Sequence, residues 1–145
     1  MNWKTEAIEK LRQYEAKKQS LQNIPREIKR LESVMRGIRS AAADGTPVSG
    51  GGSGREDMML SNIVHREELA RALEQAQEWV AQVEDALKVL GHEERIILAR
   101  LYIRPEKGNV ERLCSELGVE QSSVYRRRGT ALHRFTMALY GYTET

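Results

Sequence analysis

The sequence predicts an all-α protein: a long antiparallel helical hairpin, coiled-coil-like, over 1–40 and 56–90, then a small three-helix domain over 91–145. Three observations predict it. Across 145 residues, 30 % are charged and 6 % aromatic, with one Phe and three Pro, so strong helix formers dominate. Two long stretches carry apolar residues every three or four positions, divided by a Gly/Ser-rich break. The last third shows helix, glycine, helix with a sharp turn at the glycine.

The first stretch places Trp3, Ile8, Leu11, Tyr14, Leu21, Ile24, Ile28, Leu31, Met35 and Ile38 on one narrow stripe, interrupted at Lys18. So narrow a seam suits two-helix packing better than a globular core. Pro25 removes one backbone donor and costs ~3 kcal/mol inside a helix. Because the stripe continues across it, one kinked helix is expected rather than two; a fresh start capped by Asn23 is the alternative.

Residues 41–55, with Gly50-Gly-Gly-Ser-Gly54, read as a flexible linker. They do not form a phosphate loop, since the Gly-Lys-Ser/Thr ending is missing. The second stripe is Leu69, Leu73, Ala76, Val80, Val83, Leu87 and Leu90, extended less cleanly by Leu60, Ile63 and Val64. Gly91 is expected to stop this helix. Charge supports pairing of the two helices: 1–43 holds 10 Lys/Arg against 5 Asp/Glu, and 44–92 holds 4 against 9.

Several function classes are disfavoured. No apolar run is long enough to span a membrane, and residues 1–6 show no secretory h-region, so a cytoplasmic location is expected. The single cysteine, Cys114, excludes an internal disulfide and reads as a small core residue. His65, His92 and His133 fall in three different elements, and no nucleophile elbow or dinucleotide fingerprint occurs. No catalytic residue, metal or cofactor is therefore expected, and the chain is read as not an enzyme.

The last third is the informative part. Glu93–Ile103 is expected as one helix with a broad apolar face, broken by the segment 104–108. Asn109 is the expected cap of a short helix to Leu117 that buries Val110, Leu113, Cys114 and Leu117. Gly118 then turns the chain in the left-handed conformation, Val119 plugs the corner, and a third helix runs from about 120 to 140. This is the helix-turn-helix pattern. At 100° per residue, Val124, Ala131, Phe135, Ala138 and Leu139 face inward; Ser122, Arg126, Gly129 and His133 face out. Arg128 falls near the buried side and is expected to snorkel along it.

The outward N-terminal turns of this third helix carry Gln121, Ser122, Ser123, Tyr125, Arg126 and Arg127. Gln121 suits an adenine edge and Arg126 or Arg127 a guanine edge, while the serines and neighbouring arginines suit phosphates. Glu120 is a poor helix cap, and its charge opposes nearby phosphates.

Residues 93–139 resemble region 4 of bacterial sigma factors, on Glu94-Arg95-Ile96-Ile97-Leu98, Tyr102-Ile103, Leu113-Cys114, Leu117-Gly118-Val119, Ser123-Val124-Tyr125-Arg126 and Ala131-Leu132. With the helical pair and connector ahead of it, the whole layout resembles phage and prophage transcriptional regulators of the ArpU and RinA type. The resemblance implies a regulator that binds double-stranded DNA through the six residues named. Nothing resembles the promoter-melting part of a sigma factor. One such module has a small footprint, so a homodimer or higher oligomer formed through the hairpin is expected. Two other readings stand beside this one. A small terminase-like DNA-packaging protein shares these parts, although its DNA-binding module usually comes first. A sigma-like module that grips RNA polymerase without reading DNA fits the modest charge of 93–145, 9 basic against 7 acidic.

Overall fold

The computed structural model describes residues 2–43 and 51–141. The chain is all-helical, with no strand among the described residues. Its elements are α1 (Trp3–Ala43), α2 (Gly51–Lys88), α3 (His92–Leu98), a π-helical turn (Ala99–Ile103), α4 (Asn109–Leu117) and α5 (Gln121–Tyr140). Asn2 starts α1: its Oδ1 accepts the Thr5 N–H at 3.0 Å and its carbonyl accepts the Glu6 N–H at 3.1 Å. One helix runs through Pro25.

The expected linker, 41–55, is shorter on both sides. Residues 41–43 continue α1, and 51–55 already belong to α2; the remainder, 44–50, lies outside the described residues. Extending an existing helix gains one hydrogen bond per residue fixed, and this outweighs the low propensity of a few glycines. Ala41–Ala43 need no such help, alanine being the best helix former.

By packing, the chain divides into two compact units, Lys18–Glu78 and a second unit joining the residues up to Lys17 with those from Trp79 onward. The expected boundary at 90/91 is therefore not a packing boundary. Three short helices bury too little surface alone, and the ends of α1 and α2 complete their unit. There, Tyr14 Oη donates to Glu84 Oε2 at 2.9 Å. Lys10 and Lys17 sit over the Trp79 ring, each 5.7 Å from its centroid. The Trp3 and Tyr140 rings meet at 4.8 Å, and Arg104 pairs with Glu15 at 2.9 Å. Ala7, Leu11, Tyr14, Val80, Val83, Ala86 and Leu90 are buried.

In the Lys18–Glu78 unit, Leu31, Met35 and Ala76 are buried. Asn62 is buried with them. Its Nδ2 donates to the Leu31 carbonyl at 2.8 Å and its Oδ1 accepts from Arg66 Nε at 2.8 Å, so both ends of the amide are satisfied.

The expected helix 93–103 changes pitch. After Leu98 it widens into the π turn, in which the Arg104 N–H reaches back five residues to the Ala99 carbonyl at 2.8 Å. The next such bond, to the Arg100 carbonyl, would need an N–H on residue 105, which is proline. Asn109 supplies the donor instead, its Nδ2 lying 2.5 Å from that carbonyl. Asn109 is thus not the cap of α4. It is buried inside the first turn, and Gly108 at φ 82° stands in the cap position. Gly91 does not end α2 in a left-handed turn. Its φ of −69° is extended backbone opening α3, and its N–H donates to Glu94 Oε1 at 3.2 Å.

Gly118 takes the left-handed conformation, φ 66° and ψ 36°, and the Val119 N–H closes the turn onto the Cys114 carbonyl at 3.2 Å. Val119 packs with Ile96, Leu101, Val110, Cys114 and Leu117 around a buried Ile97, Leu113 and Val124. On α5 the inward face is Val124, Ala131, Leu132, Phe135 and Thr136, whereas Ala138 is exposed and Leu139 half-buried. The arc differs from the expected one because α5 is covered by both α3 and α4. Thr136 is tolerated inside because its hydroxyl donates to the Leu132 carbonyl at 2.6 Å.

Candidate nucleic-acid interface

All six sequence-predicted site residues lie in the first two turns of α5, directly after the Gly118 turn. Apolar residues fix its inner side: Val124 and Phe135 are fully buried, and full burial of such a side chain stabilises by ~1.5–3 kcal/mol. Glu94 braces the same helix from α3. Its Oε1 accepts from both the Gly91 N–H and Arg134, and Arg134 also donates to the Val89 carbonyl at 3.1 Å. The helix is therefore held from inside and from its flank before any ligand arrives.

Outward, Gln121, Ser122, Tyr125 and Arg126 are exposed, and Ser123 and Arg127 half-buried. The helix starts at Glu120, whose side chain makes no cap bond. Gln121 Nε2 donates to Tyr125 Oη at 3.3 Å. Arg126 Nη2 lies 3.4 Å from Ser123 Oγ, a weak bond that a stronger acceptor displaces readily. Ser122 and Arg126, four residues apart, share one outward face.

Arg127 differs from its neighbours. It is ion-paired with Glu93 of α3, which neutralises the charge it brings to this surface. Between α3 and α5 lies a cleft of about 270 Å³, lined by Glu93, Glu94, Ile97, Arg126, Arg127 and Thr130. It therefore presents both signs of charge.

Two contributors were missed by sequence reasoning. Arg128 lies over the Tyr125 ring, 5.0 Å from its centroid, and stiffens it as a platform. The i, i+3 spacing of Tyr125 and Arg128 was the available signal. Glu93, the counter-ion of Arg127, is 34 residues away in sequence and gave no local signal.

His65, His92 and His133 lie on α2, α3 and α5. Among the described residues no group of three or more His, Cys, Asp or Glu side chains is arranged to hold a metal ion. No described helix is long and apolar enough to cross a membrane. No family model, no curated protein and no solved structure matches the chain.

Proposed function

We propose that this protein is a non-enzymatic, sequence-specific transcriptional regulator of the phage or prophage kind, reading the DNA major groove with the first turns of α5. In this reading α4, the Gly118 turn and α5 form a helix-turn-helix. One observation carries it: a rigidly buttressed helix start whose outward residues are Gln121, Ser122, Tyr125 and Arg126, with Arg126 held only weakly. These are groups that pair with base edges and phosphates, at the helix end whose free N–H groups favour anions. In the same proposal α1 and α2 form an antiparallel hairpin that joins two or more copies, so that two half-sites are read together.

The test is titration of fluorescent duplexes, one recovered by selection and one unrelated, with the wild type and Arg126→Ala. The variant is expected to lose ~1–3 kcal/mol on the selected duplex, with a relaxed preference between the two. Unchanged affinity and unchanged preference would remove the assignment of α5. The pairing of Arg127 with Glu93 favours a second reading, a module that docks on RNA polymerase, because it lowers the charge offered to phosphates. Weak, salt-insensitive DNA binding with polymerase co-purification is its signature.

A further inference from the structure

In the Lys18–Glu78 unit four large apolar side chains lie outside the core. Leu60 is 61 % exposed, Met58 50 %, and Val34 and Val64 42 % each. They are not scattered. Val34 and Met58 line a groove of about 410 Å³ together with Leu31, Ile38, Asn62 and His65. Leu60 and Val64 line an adjoining depression of about 450 Å³. Asp57, Ser61 and His65 border both, so the two hollows form one continuous face. A Cβ at Gly37, on α1 just beyond Val34, would meet nothing within 4 Å, so approach on that side is open.

The two helices that carry this face have opposite net charge. The α1 stretch 18–41 carries six Lys/Arg and two Asp/Glu, and the α2 stretch 54–78 carries three and six. One unit thus presents a basic helix next to an acidic one. A two-fold axis brings the basic helix of each copy against the acidic helix of the other, with the apolar residues between them. The acidic helix, with Asp57 and Glu68 at the face itself, would repel nucleic acid, whereas a second copy can offer each helix a partner of opposite net charge.

We infer that this face, built on Val34, Met58, Leu60 and Val64, seats a second copy of this chain, α1 of each copy lying against α2 of the other. The inference deepens the proposed function by naming the dimer surface, and it rests on that reading only for its biological use. Its test needs no DNA, so it fails or stands separately from DNA recognition.

The experiment is sedimentation equilibrium of the full chain over a range of concentrations. The wild type is expected at twice the 16.6 kDa chain mass. Met58→Glu/Val64→Glu is expected to sediment as a single chain, its helicity by circular dichroism unchanged. Leu60→Glu, at the most exposed of the four positions, is expected to raise the dissociation constant about tenfold or more. Val89→Glu, exposed in the other unit, should leave the dimer intact. A wild type that stays at the single-chain mass at every concentration overturns the inference. So does a folded double variant that keeps the dimer mass, or a Leu60→Glu chain that dimerises as tightly as the wild type.

Discussion

Asn109→Ala probes the least conventional joint in the fold. The Arg100 carbonyl leaves the π turn with no backbone donor, because the residue five places on is Pro105. The Asn109 amide, 2.5 Å away, fills that role, and Asn109 is only 6 % exposed. Removing the donor strands a part-buried acceptor, at a cost of about 1–3 kcal/mol. For a chain of this size, each kcal/mol lowers Tm by about 2–4 °C. Pro105→Ala returns an N–H at the position that would close the next π bond. The cost of Asn109→Ala should therefore fall below about 1 kcal/mol in that background. Urea unfolding of the four proteins, followed by far-UV circular dichroism, gives the coupling. If the two substitutions add to within about 0.5 kcal/mol, the carbonyl was never dependent on Asn109 and the reasoning is refuted.

Two glycines should respond in opposite directions. Gly118→Ala forces a side chain into φ 66° and should destabilise by ~1–2 kcal/mol. Gly129→Ala, mid-helix with open space around it, should stabilise by ~0.5–1 kcal/mol; a urea midpoint that rises for Gly118→Ala, or falls for Gly129→Ala, would contradict the corresponding expectation. Burial, and secondly the negative charge of Glu6, raise the Tyr140 phenol above its ordinary range. The folded chain then keeps a proton that the unfolded chain releases. That stability is fully present below pH about 10 and is lost as pH rises through the raised folded value. Tyr140→Phe should flatten this alkaline loss in denaturation curves taken across that range. The buried Tyr140 hydroxyl has no hydrogen-bond partner among the described residues, so the same variant should cost nothing near neutrality.

What the sequence made legible was whatever local periodicity encodes. Leu11, Tyr14, Leu31, Met35, Val80 and Val83 are buried where their stripes put them. The left-handed Gly118 and the exposure of Ser122, Arg126 and His133 follow from spacing along single helices. Features that rest on particular partners rather than on periodicity were not legible, whether those partners are near or distant in sequence. Asn109 resembles a cap until the missing Pro105 N–H leaves a carbonyl in need of it. Gly91 resembles a helix stop until Glu94 turns back to bind its N–H. Arg127 reads as interchangeable with Arg126 until α3 brings Glu93 to it. The division into units was hidden for the same reason. It depends on Trp3 meeting Tyr140 and Glu15 meeting Arg104, pairs separated by most of the chain.

The central claim, that the first turns of α5 read DNA, is tested most directly by selection from a random duplex pool. The selection uses the full-length protein at near-physiological salt. The proposal predicts an enriched motif with two half-sites related by a dyad and spaced by about one helical turn or a multiple of it. An unenriched pool, from a protein whose helicity is intact, would contradict it.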